Sequence, residues 1–567
     1  MTQNKAFRPQ RVAVAALALC SLSAAQAQTT PTQPAPNAGQ VLRDLQQAPA
    51  AAQQVAPLQR IEQTPDLAQQ GEATVIVKAV RITGNSEIAT AQLQPLVSSL
   101  VGTQQTLSQL NAAARRITAY YRNEGFAVAR AYLPAQDITD GAITIAVLEG
   151  RISSQKLNNT SSLSDERTRA YLAGVKDGDV IKSEQIDRGL LLLQDTPGVA
   201  SSRATLQPGA SPGTSELLIE VKPADTVAGN VTLDNYGSRY TGEYRLGAAV
   251  NIANPLKIGD LISLNALTSG SGLSFARIGY QLPVGSDGLR VGAAYFDVRY
   301  KLGREFASLL ARGTVSSTTV FASYPFIRSR FKNLNGTLSY EDKTTTDFVD
   351  ATATVTRKKV KVTSLGLSGN LQDSLAGGGF NTFDVSLIQG KLAIQSPTAL
   401  LIDSLSAQTN GSYSKVTWGA SRLQRITNDT LLSFALNGQQ AGKNLDSSEK
   451  FSLGGPTNIR AYPSGEGSGD EGYRGTLELR QNLMQNVQGV LFYDFGSVKI
   501  NKRQFGVAGT ANNNKTLSGA GFGVNASINK VQLKASVAWR LSPDLPLSLP
   551  ANAVKAATVW LQAQVGF

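Results

Sequence analysis

Residues 559–567 read Val-Trp-Leu-Gln-Ala-Gln-Val-Gly-Phe, and this stretch shows the pattern on which the fold depends. Apolar and polar side chains alternate along it, so one face of a strand suits lipid and the other suits water. The same alternation, broken by turns rich in Gly, Asn, Asp and Ser, extends back to about Pro223. We therefore predict that residues 224–567 form a transmembrane antiparallel β-barrel, with Phe567 as the terminal aromatic residue that such barrels present to their assembly machinery.

Residues 292–302 alternate in the same way and have an apolar and a polar face. Because barrels place apolar side chains outside and polar ones inside, we expect the apolar face to contact lipid. A soluble β-sandwich or a helix-like repeat protein is the structural alternative. The apolar face consists of Gly292, Ala294, Phe296, Val298, Tyr300 and Leu302, and the polar face of Tyr295, Asp297, Arg299 and Lys301.

Helical periodicity is confined to the segment before the barrel. Residues 74–150 and 151–223 repeat one order of elements, which is strand, helix, helix, strand, strand. We therefore predict two tandem copies of a small α/β unit. The predicted helices cover 93–100 and 108–121 in the first unit and begin at Ser164 and Ser183 in the second, and the predicted strands include 126–133, 143–148, 201–206 and 215–221.

The amino terminus has the form of a secretory signal peptide, which we assign to residues 1–27. An apolar run over residues 12–22 follows three cations and precedes a small-x-small cleavage site at residues 25–27. Lipoprotein processing at Cys20 is the alternative, and it is disfavoured because the preceding Leu19 is not a small residue. The three cations are Lys5, Arg8 and Arg11.

Residues 28–73 are rich in Ala, Gln and Pro, a composition that cannot bury a core of its own. Within them, residues 38–47 place Val41, Leu42 and Leu45 on one side of a short helix. A stable isolated helix needs about 12–15 residues, which this segment does not have. The segment is therefore either a helix docked against another part of the protein or a disordered leader.

The composition excludes several kinds of site. The chain has no histidine, and its single cysteine, Cys20, lies in the predicted signal, so the mature protein lacks a disulfide, a thiolate nucleophile and a His-based triad. We expect no enzyme activity, no cofactor and no metal. The formal charge of +13, or +10 after the three signal cations are subtracted, suggests anionic lipid headgroups or a basic channel lining rather than nucleic acid. A basic solvated surface fits the composition equally well.

Several motifs, taken together, resemble those of one known family. They are the run Leu-Gly-Gly-Pro-Thr-Asn-Ile-Arg-Ala-Tyr at 453–462, Gly465-Glu466, Gly469-Asp470, Leu-Glu-Leu-Arg at 477–480, and the segments 133–134, 148–151, 193–199 and 234–242. The match closely resembles two-partner-secretion transporters of the haemolysin and filamentous-haemagglutinin type. These belong to the superfamily of outer-membrane assembly factors with periplasmic POTRA domains.

The resemblance implies POTRA domains at 74–150 and 151–223, a barrel of about sixteen strands, an extracellular loop folded into the pore, and an amino-terminal plug helix that residues 38–47 would form. Its function would be to recognise an unfolded partner exoprotein, such as an adhesin or a haemolysin, and to translocate it through a monomeric barrel in the lipid of the outer membrane. An insertase for other barrels is the main alternative. A diffusion porin fits less well, because periplasmic domains would be superfluous.

Two motifs of the family are expected to join the loop to the barrel wall. The tip of the in-turned loop carries Ile459, Arg460, Ala461 and Tyr462, followed by Gly465 and Glu466. A barrel strand carries Phe-x-Asp-x-Gly, which here is the run from Phe492 to Gly496. The family usually has Gly where this chain has Ala461, so a positive φ is not expected there.

The strand period places Phe492, Asp494 and Gly496 on one face, which we expect to line the lumen. A carboxylate screened from bulk water is costly unless it is paired, and an arginine fork satisfies both oxygens. We therefore predict that Arg460 binds Asp494 and that Gly496 leaves room for the loop backbone. Two solvated side chains would be the simpler interpretation if the motifs were absent.

For capture of the exported chain, we predict the groove of the first α/β unit between the helix at 108–121 and the strand at 126–133. POTRA domains typically bind extended segments along a strand edge or in such a groove. The sequence has no nucleotide-binding motif, so we expect folding of the exported protein outside the cell to drive transport. The candidate binding residues are Leu110, Ile117, Tyr121, Phe126, Val128 and Tyr132.

Overall fold

The computed structural model describes residues 35–46, 74–505, 512–543 and 545–567. The described residues form a short helix, two α/β units and a closed barrel. The predicted signal peptide lies outside them. Within these ranges, no helix is both long and apolar enough to cross a membrane.

Helix α1 covers Ala38–Gln46 and lies inside the barrel. Val41 and Leu42 are almost completely buried, and Leu45 packs against the same cluster of barrel side chains. The nine-residue helix is therefore stabilised by tertiary contacts, as its length requires.

The first α/β unit contains a three-stranded sheet and a separate two-stranded one. The three-stranded sheet has the order β2-β5-β4, with β2 parallel and β4 antiparallel to β5, while β1 pairs with β3. The elements are β1 (Thr74–Ile76), β2 (Ala79–Thr83), α2 (Thr90–Leu93), β3 (Gln104–Thr106), α3 (Leu107–Asn123), β4 (Arg130–Tyr132) and β5 (Ala142–Leu148).

Two predicted elements of this unit are shorter than expected. The helix predicted over 93–100 is the four-residue α2 followed by 3-10 turns at Gln94–Leu96 and Ser98–Leu100, because Pro95 lacks the N–H that an α-helix would need. The strand predicted over 126–133 begins only at Arg130, since the chain turns after Gly125, whose φ is +92°.

The second unit has a sheet of order β6-β8-β7, with β6 parallel and β7 antiparallel to β8. The two three-stranded sheets therefore share one topology. Ser164 caps α4 by accepting a hydrogen bond from the Arg167 N–H at 3.3 Å. The elements are β6 (Arg151–Asn159), α4 (Asp165–Ala170), α5 (Ser183–Gln194), β7 (Val199–Pro208) and β8 (Thr214–Pro223).

Sixteen antiparallel strands close the barrel, which confirms the predicted fold class. They are β9 (Val227–Asp234), β10 (Arg245–Ala253), β11 (Leu261–Thr268), β12 (Leu273–Val284), β13 (Leu289–Lys301), β14 (Ala311–Arg328), β15 (Lys332–Val349), β16 (Thr354–Asp373), β17 (Gly379–Ile394), β18 (Gly411–Arg425), β19 (Thr430–Ala441), β22 (Glu471–Met484), β23 (Val487–Lys499), β24 (Asn514–Ile528), β25 (Val531–Arg540) and β26 (Ala557–Gly566). The short strands β20 (Phe451–Ser452) and β21 (Ser468–Gly469) lie in the loop between β19 and β22, and helix α6 (Pro397–Ser404) lies between β17 and β18. The chain closes the barrel by pairing β26 with β9.

Strand β13 faces opposite to our expectation. Phe296, Val298 and Tyr300 point into the barrel and are at most 9% exposed, whereas Tyr295 and Arg299 point outward. The prediction that the apolar face of this strand contacts lipid is therefore wrong. The physical reason is that α1 packs against the inner face of the barrel at this level, so apolar side chains are required there.

The second α/β unit is attached to one end of the barrel, which we call the proximal end. The Asp195 carboxylate, just after α5, accepts hydrogen bonds from Arg328 Nε at 2.6 Å and Nη2 at 2.8 Å. Asp187 of α5 pairs with Arg330 at 2.7 Å, in the turn that follows β14. The opposite end of the barrel is called the distal end.

We expect Asp195→Arg to loosen this attachment, because it places two cations side by side. The mature chain lacks cysteine, so nitroxide labels at Ser211→Cys and Lys530→Cys allow the distance between unit and barrel to be measured by double electron–electron resonance. The distance distribution should broaden in Asp195→Arg and narrow again when Arg328→Asp is added. An unchanged distribution in the single variant would contradict the role of this ion pair.

Candidate functional site

The connection between β19 and β22, residues 442–470, folds into the distal half of the barrel, and we call it the inner loop. Its strands β20 and β21 form a ribbon of only two residue pairs. Apolar side chains of the inner loop pack against the wall and stabilise this short ribbon. The buried cluster contains Leu453, Ile459, Ala461 and Tyr462 of the loop and Val490, Phe492, Val498, Leu517 and Ala538 of the wall.

Arg460 at the tip of the inner loop and Asp494 on β23 form an enclosed ion pair. Arg460 Nε and Nη2 donate to the two oxygens of the Asp494 carboxylate at 2.8 and 2.7 Å, and the Arg460 backbone N–H donates at 3.0 Å. Thr476 Oγ1 donates to the same carboxylate at 3.0 Å. Asp494 has no exposed surface, and these donors satisfy both of its oxygens.

The Arg460 guanidinium has two further contacts. It stacks 3.4 Å from the ring centroid of Phe492, and its Nη1 donates to Glu478 Oε1 at 2.8 Å. Glu478 also accepts from Arg480 Nε at 2.8 Å. Since a lysine can neither stack in this way nor donate in a planar fork, the position requires arginine.

The last strand holds the backbone of the loop tip. Trp560 Nε1 donates to the Arg460 carbonyl at 2.8 Å, and Thr558 Oγ1 donates to the Ala461 carbonyl at 3.0 Å. Ala461 does not adopt a positive φ, and its methyl group lies over Gly519, where a Cβ atom would collide with it. The alanine therefore fits because the wall opposite it has a glycine.

Gly496 provides space for the inner loop, although for a side chain rather than for its backbone. A Cβ atom at Gly496 would lie 2.8 Å from Leu453 Cδ2. On the same loop, the side chains of Ile459 and Tyr462 have no exposed surface. The loop tip is thus fixed by packing as well as by the ion pair.

Glu466 ties the loop to the distal connections of the barrel. It pairs with Lys515 of β24 and accepts hydrogen bonds from the N–H groups of Leu547 at 3.1 Å and Ser548 at 2.8 Å. Burial opposes ionisation of Glu466, but Lys515 and the hydrogen bonds outweigh it and hold the pKa below its usual value. The preceding Gly465, with φ at +80°, lies against Asp44 of α1.

Three lysines of the barrel wall bind two acids of the inner loop, and none of these five residues was predicted from the sequence. Glu449 pairs with Lys343 at 2.9 Å and with Lys415 at 3.0 Å, and Asp446 pairs with Lys358 at 2.6 Å. Burial alone would raise the pKa of Glu449, but the two lysines hold it well below its usual range. The available signal was strand parity, which places each lysine at an inward position.

Helix α1 lies between the inner loop and the wall. Gly39 allows close approach, because a Cβ atom there would collide with Ser447 Oγ and would lie 2.7 Å from the Ser448 nitrogen. Arg43 Nη1 donates to Ser468 Oγ at 2.5 Å, and the Ala38 N–H donates to Asp347 Oδ1 at 2.7 Å. The helix and the loop therefore fill the distal lumen together.

A cavity of about 1,090 Å³ occupies the lumen next to the inner loop and α1. Polar and cationic side chains supply much of its wall, including Asn230, Thr232, Asn265, Arg277, Gln532 and Lys534. This polar side of the lumen is suited to water and to a polar backbone, whereas Leu42, Leu45 and Phe296 of the apolar cluster around α1 line another side of the same cavity.

Most of the residues predicted for capture of an exported chain are not available for contact. Leu110, Ile117, Tyr121 and Phe126 are at most 6% exposed and belong to the core of the first α/β unit. Their assignment as binding residues is wrong, because the helical period that singled them out marks the core-facing side of α3. Tyr121 instead donates a hydrogen bond to the buried Glu149 at 2.9 Å.

Val128 and Tyr132 are the two remaining capture candidates, and both are half-buried beside or on β4. They remain predictions. Within the described residues, no group of three acidic, His or Cys side chains could hold a metal ion.

Comparisons with known proteins agree with the architecture. Residues 213–526 match the family described as haemolysin secretion/activation protein ShlB/FhaC/HecB, and residues 75–150 match the ShlB-type POTRA domain. Among similar proteins, the heme/hemopexin transporter protein HuxB of Haemophilus influenzae is 30% identical over 449 residues, which are 78% of this chain and 79% of HuxB.

Two further comparisons extend over most of the chain. The outer membrane transporter CdiB of Dickeya dadantii is 24% identical over 92% of this chain and 90% of its own length. The solved structure of CdiB from Escherichia coli superposes with a TM-score of 0.71 at 21% identity, covering 89% of this chain and 93% of CdiB. This structural likeness concerns the fold.

We expect Glu449→Gln to destabilise the inner loop by about 3–5 kcal/mol, because Lys415 would stay buried without a carboxylate and Lys343 would keep only Glu341, at 4.0 Å. The variant should therefore show faster trypsin cleavage within residues 442–470 in outer-membrane vesicles. Glu243→Gln, in an exposed loop, is the matched control and should be cleaved like the wild type. Equal cleavage rates for all three proteins would refute this anchoring role.

Proposed function

Because the chain belongs to the haemolysin secretion/activation family of ShlB, FhaC and HecB, we propose that it captures an extended partner exoprotein in the periplasm and passes it through its own barrel lumen. Members of the family are outer-membrane transporters of two-partner secretion, and this chain is one of them. The proximal end with its POTRA domains faces the periplasm, and the distal end faces the cell exterior. Its relatives are named as transporters, which favours secretion over the assembly-factor alternative.

The observation that carries the proposal is a closed lumen whose contents are held against the wall by non-covalent contacts. Sixteen strands of one chain enclose the space, which supports a monomeric transporter. The inner loop, which is joined to the wall only at its ends on β19 and β22, and α1 fill its distal half. Their removal would join the 1,090 Å³ cavity to the exterior. An extended polypeptide could then cross without unfolding the barrel.

We assign the Arg460–Asp494 pair the role of a latch that keeps the inner loop in a transport-competent position. The pair joins the loop tip to β23, and Trp560 and Thr558 join the same tip to β26. The tip thereby bridges strands on both sides of β24 and β25. Loss of the pair would leave a buried carboxylate unpaired, which is strongly unfavourable.

Helix α1 is proposed as the plug of the resting state. Its apolar side faces β13–β15, and Gly39 and Arg43 contact the inner loop. Departure of α1 would expose the apolar inner face of β13. An incoming chain with alternating apolar side chains could cover that face in its place.

For capture, we propose the groove between α3 and β4 of the first POTRA domain. The sheet order β2-β5-β4 places β4 at the edge of its sheet, where the Ala131 N–H donates to Thr118 Oγ1 of α3 at 2.9 Å. An extended segment would lie along this groove, with Val128 and Tyr132 beside it.

We expect Arg460→Ala and Asp494→Ala each to reduce export of the partner exoprotein at least tenfold while the barrel still assembles. The measurement is the amount of exoprotein in the medium, with heat-modifiable gel mobility reporting assembly. Lys530→Ala, in an exposed proximal turn, serves as the control and should export normally. Wild-type export by both latch variants would remove the latch from the mechanism.

Gly39→Ile should displace α1, because its side chain would overlap Ser447 and Ser448. In planar bilayers the variant is expected to spend more time in the open state and to pass more current than the wild type. Gly174→Ile is the matched control, since a Cβ atom at Gly174 meets no atom within 4 Å. The plug assignment fails if Gly39→Ile conducts like the control.

A further inference from the structure

Seven cationic side chains project outward from the distal halves of four strands, β13, β14, β16 and β17, within one sector of the wall. Strand parity places them on the same outer face as the apolar residues that lie nearer the proximal end. We call this set the outer basic patch. Its members are Arg299 and Lys301 on β13, Arg312 on β14, Arg357, Lys359 and Lys361 on β16, and Lys391 on β17.

Among the described residues, three acids form salt bridges with members of the outer basic patch. The salt bridges are Arg299–Asp297 at 3.0 Å, Arg312–Asp350 at 2.9 Å and Lys359–Asp342 at 3.1 Å. Seven cations less three acids leave four positive charges. No salt bridge between described residues involves the side chains of Lys301, Arg357, Lys361 or Lys391.

The strand register brings some of these cations together in pairs. Lys361 lies directly opposite Lys391, and Lys301 lies directly opposite Arg312. Side chains at directly opposite positions of an antiparallel pair are about 4.5–5.5 Å apart at Cβ, and like charges there destabilise the sheet. An anion bound between the paired cations would remove this repulsion.

The height of the patch matches the headgroups of the outer leaflet. Leu365 and Leu387 belong to the apolar band, and they are four positions from Lys361 and Lys391 on the same strands. Four residues span about 13 Å of strand, or about 10 Å along the membrane normal when the strand is tilted. The distal end faces the exterior, so these lysines lie just above the acyl chains of the outer leaflet.

The opposite side of the barrel differs at this level. There, β24, β25 and β26 present uncharged outward residues, such as Thr516, Ser518, Trp539 and Val559. The strands of the patch are also the longest, with β14, β15 and β16 reaching 18, 18 and 20 residues. The outward positive charge is thus concentrated in one tall sector of the wall, unlike a general solvated surface.

We propose that the outer basic patch binds the phosphorylated headgroup of the glycolipid in the outer leaflet, the lipid A part of lipopolysaccharide. Lysine ammonium and arginine guanidinium groups are strong donors to phosphate oxygens. The paired cations Lys361 and Lys391 form the centre of the site. Bound glycolipid holds this sector of the wall in one orientation relative to the outer leaflet. Helix α1 packs against the inner face of the same sector.

The test is titration of the full-length mature transporter, in detergent, with bisphosphorylated lipid A, followed by native mass spectrometry. The double variant K361Q/K391Q should bind lipid A about thirtyfold more weakly than the wild type, because each surface cation contributes roughly 1 kcal/mol of attraction to an anionic lipid. K332Q is the matched control. Lys332 is exposed at the proximal end of β15, on the inner-leaflet side, and the variant should bind like the wild type.

Further measurements keep the proposal falsifiable if the double variant does not fold. Wild-type protein should bind dephosphorylated lipid A and phosphatidylglycerol at least tenfold more weakly than bisphosphorylated lipid A. Equal binding of phosphatidylglycerol would show a response to any anionic lipid and would overturn the assignment. Equal loss of binding in K332Q, or unchanged binding in a folded K361Q/K391Q, would overturn it as well. Export of the exoprotein is not the readout, so failure of the proposed transport mechanism would leave this result unaffected.

Discussion

The burial of the Asp494 carboxylate is the constraint on which the interior of this barrel depends. A carboxylate without exposed surface must receive donors from the protein itself, and most of those donors come from Arg460 on the inner loop. Satisfying a residue of the wall therefore requires the loop to lie inside the lumen. Once the loop is there, Ser447 and Ser468 form the surface on which α1 packs. One ion pair on β23 thus determines what fills the distal half of the pore.

Because α1 and the inner loop fill the distal half of the lumen, an apolar strand residue at that level can point inward instead of toward lipid. Near the proximal end the inner wall is polar and the outer wall is apolar, as in other membrane barrels. At the level of α1 the inner face of β13 is apolar, and its outer face carries Arg299 and Lys301 above the lipid. On β13 and β14, the outer face therefore carries members of the outer basic patch, and the inner face packs against α1.

The sequence predicted some parts of the site well because the rule involved was local. The period of a strand is fixed by the backbone, so Phe492, Asp494 and Gly496 had to share one face. The same rule could not say whether the apolar face of β13 points to lipid or to a buried helix. Likewise, the period of α3 identified Leu110 and Ile117 but could not distinguish a binding groove from a core. In both cases the answer depends on which other segment of the chain lies against that face.

The alternating strands, the repeated α/β unit and the motifs at the loop tip and on β23 could be predicted from the sequence, because they follow from local periodicity and from short runs of residues. The family resemblance implied about sixteen strands and a filled pore, but the contacts that α1 and the inner loop make with the wall, and the pairing of Lys343 with Glu449 across 106 residues of chain, are known from the tertiary structure alone. Such contacts depend on where closure of the barrel brings distant segments. Strand parity shows that a lysine points inward, but the role of that lysine depends on where its partner lies. No local rule supplies that location.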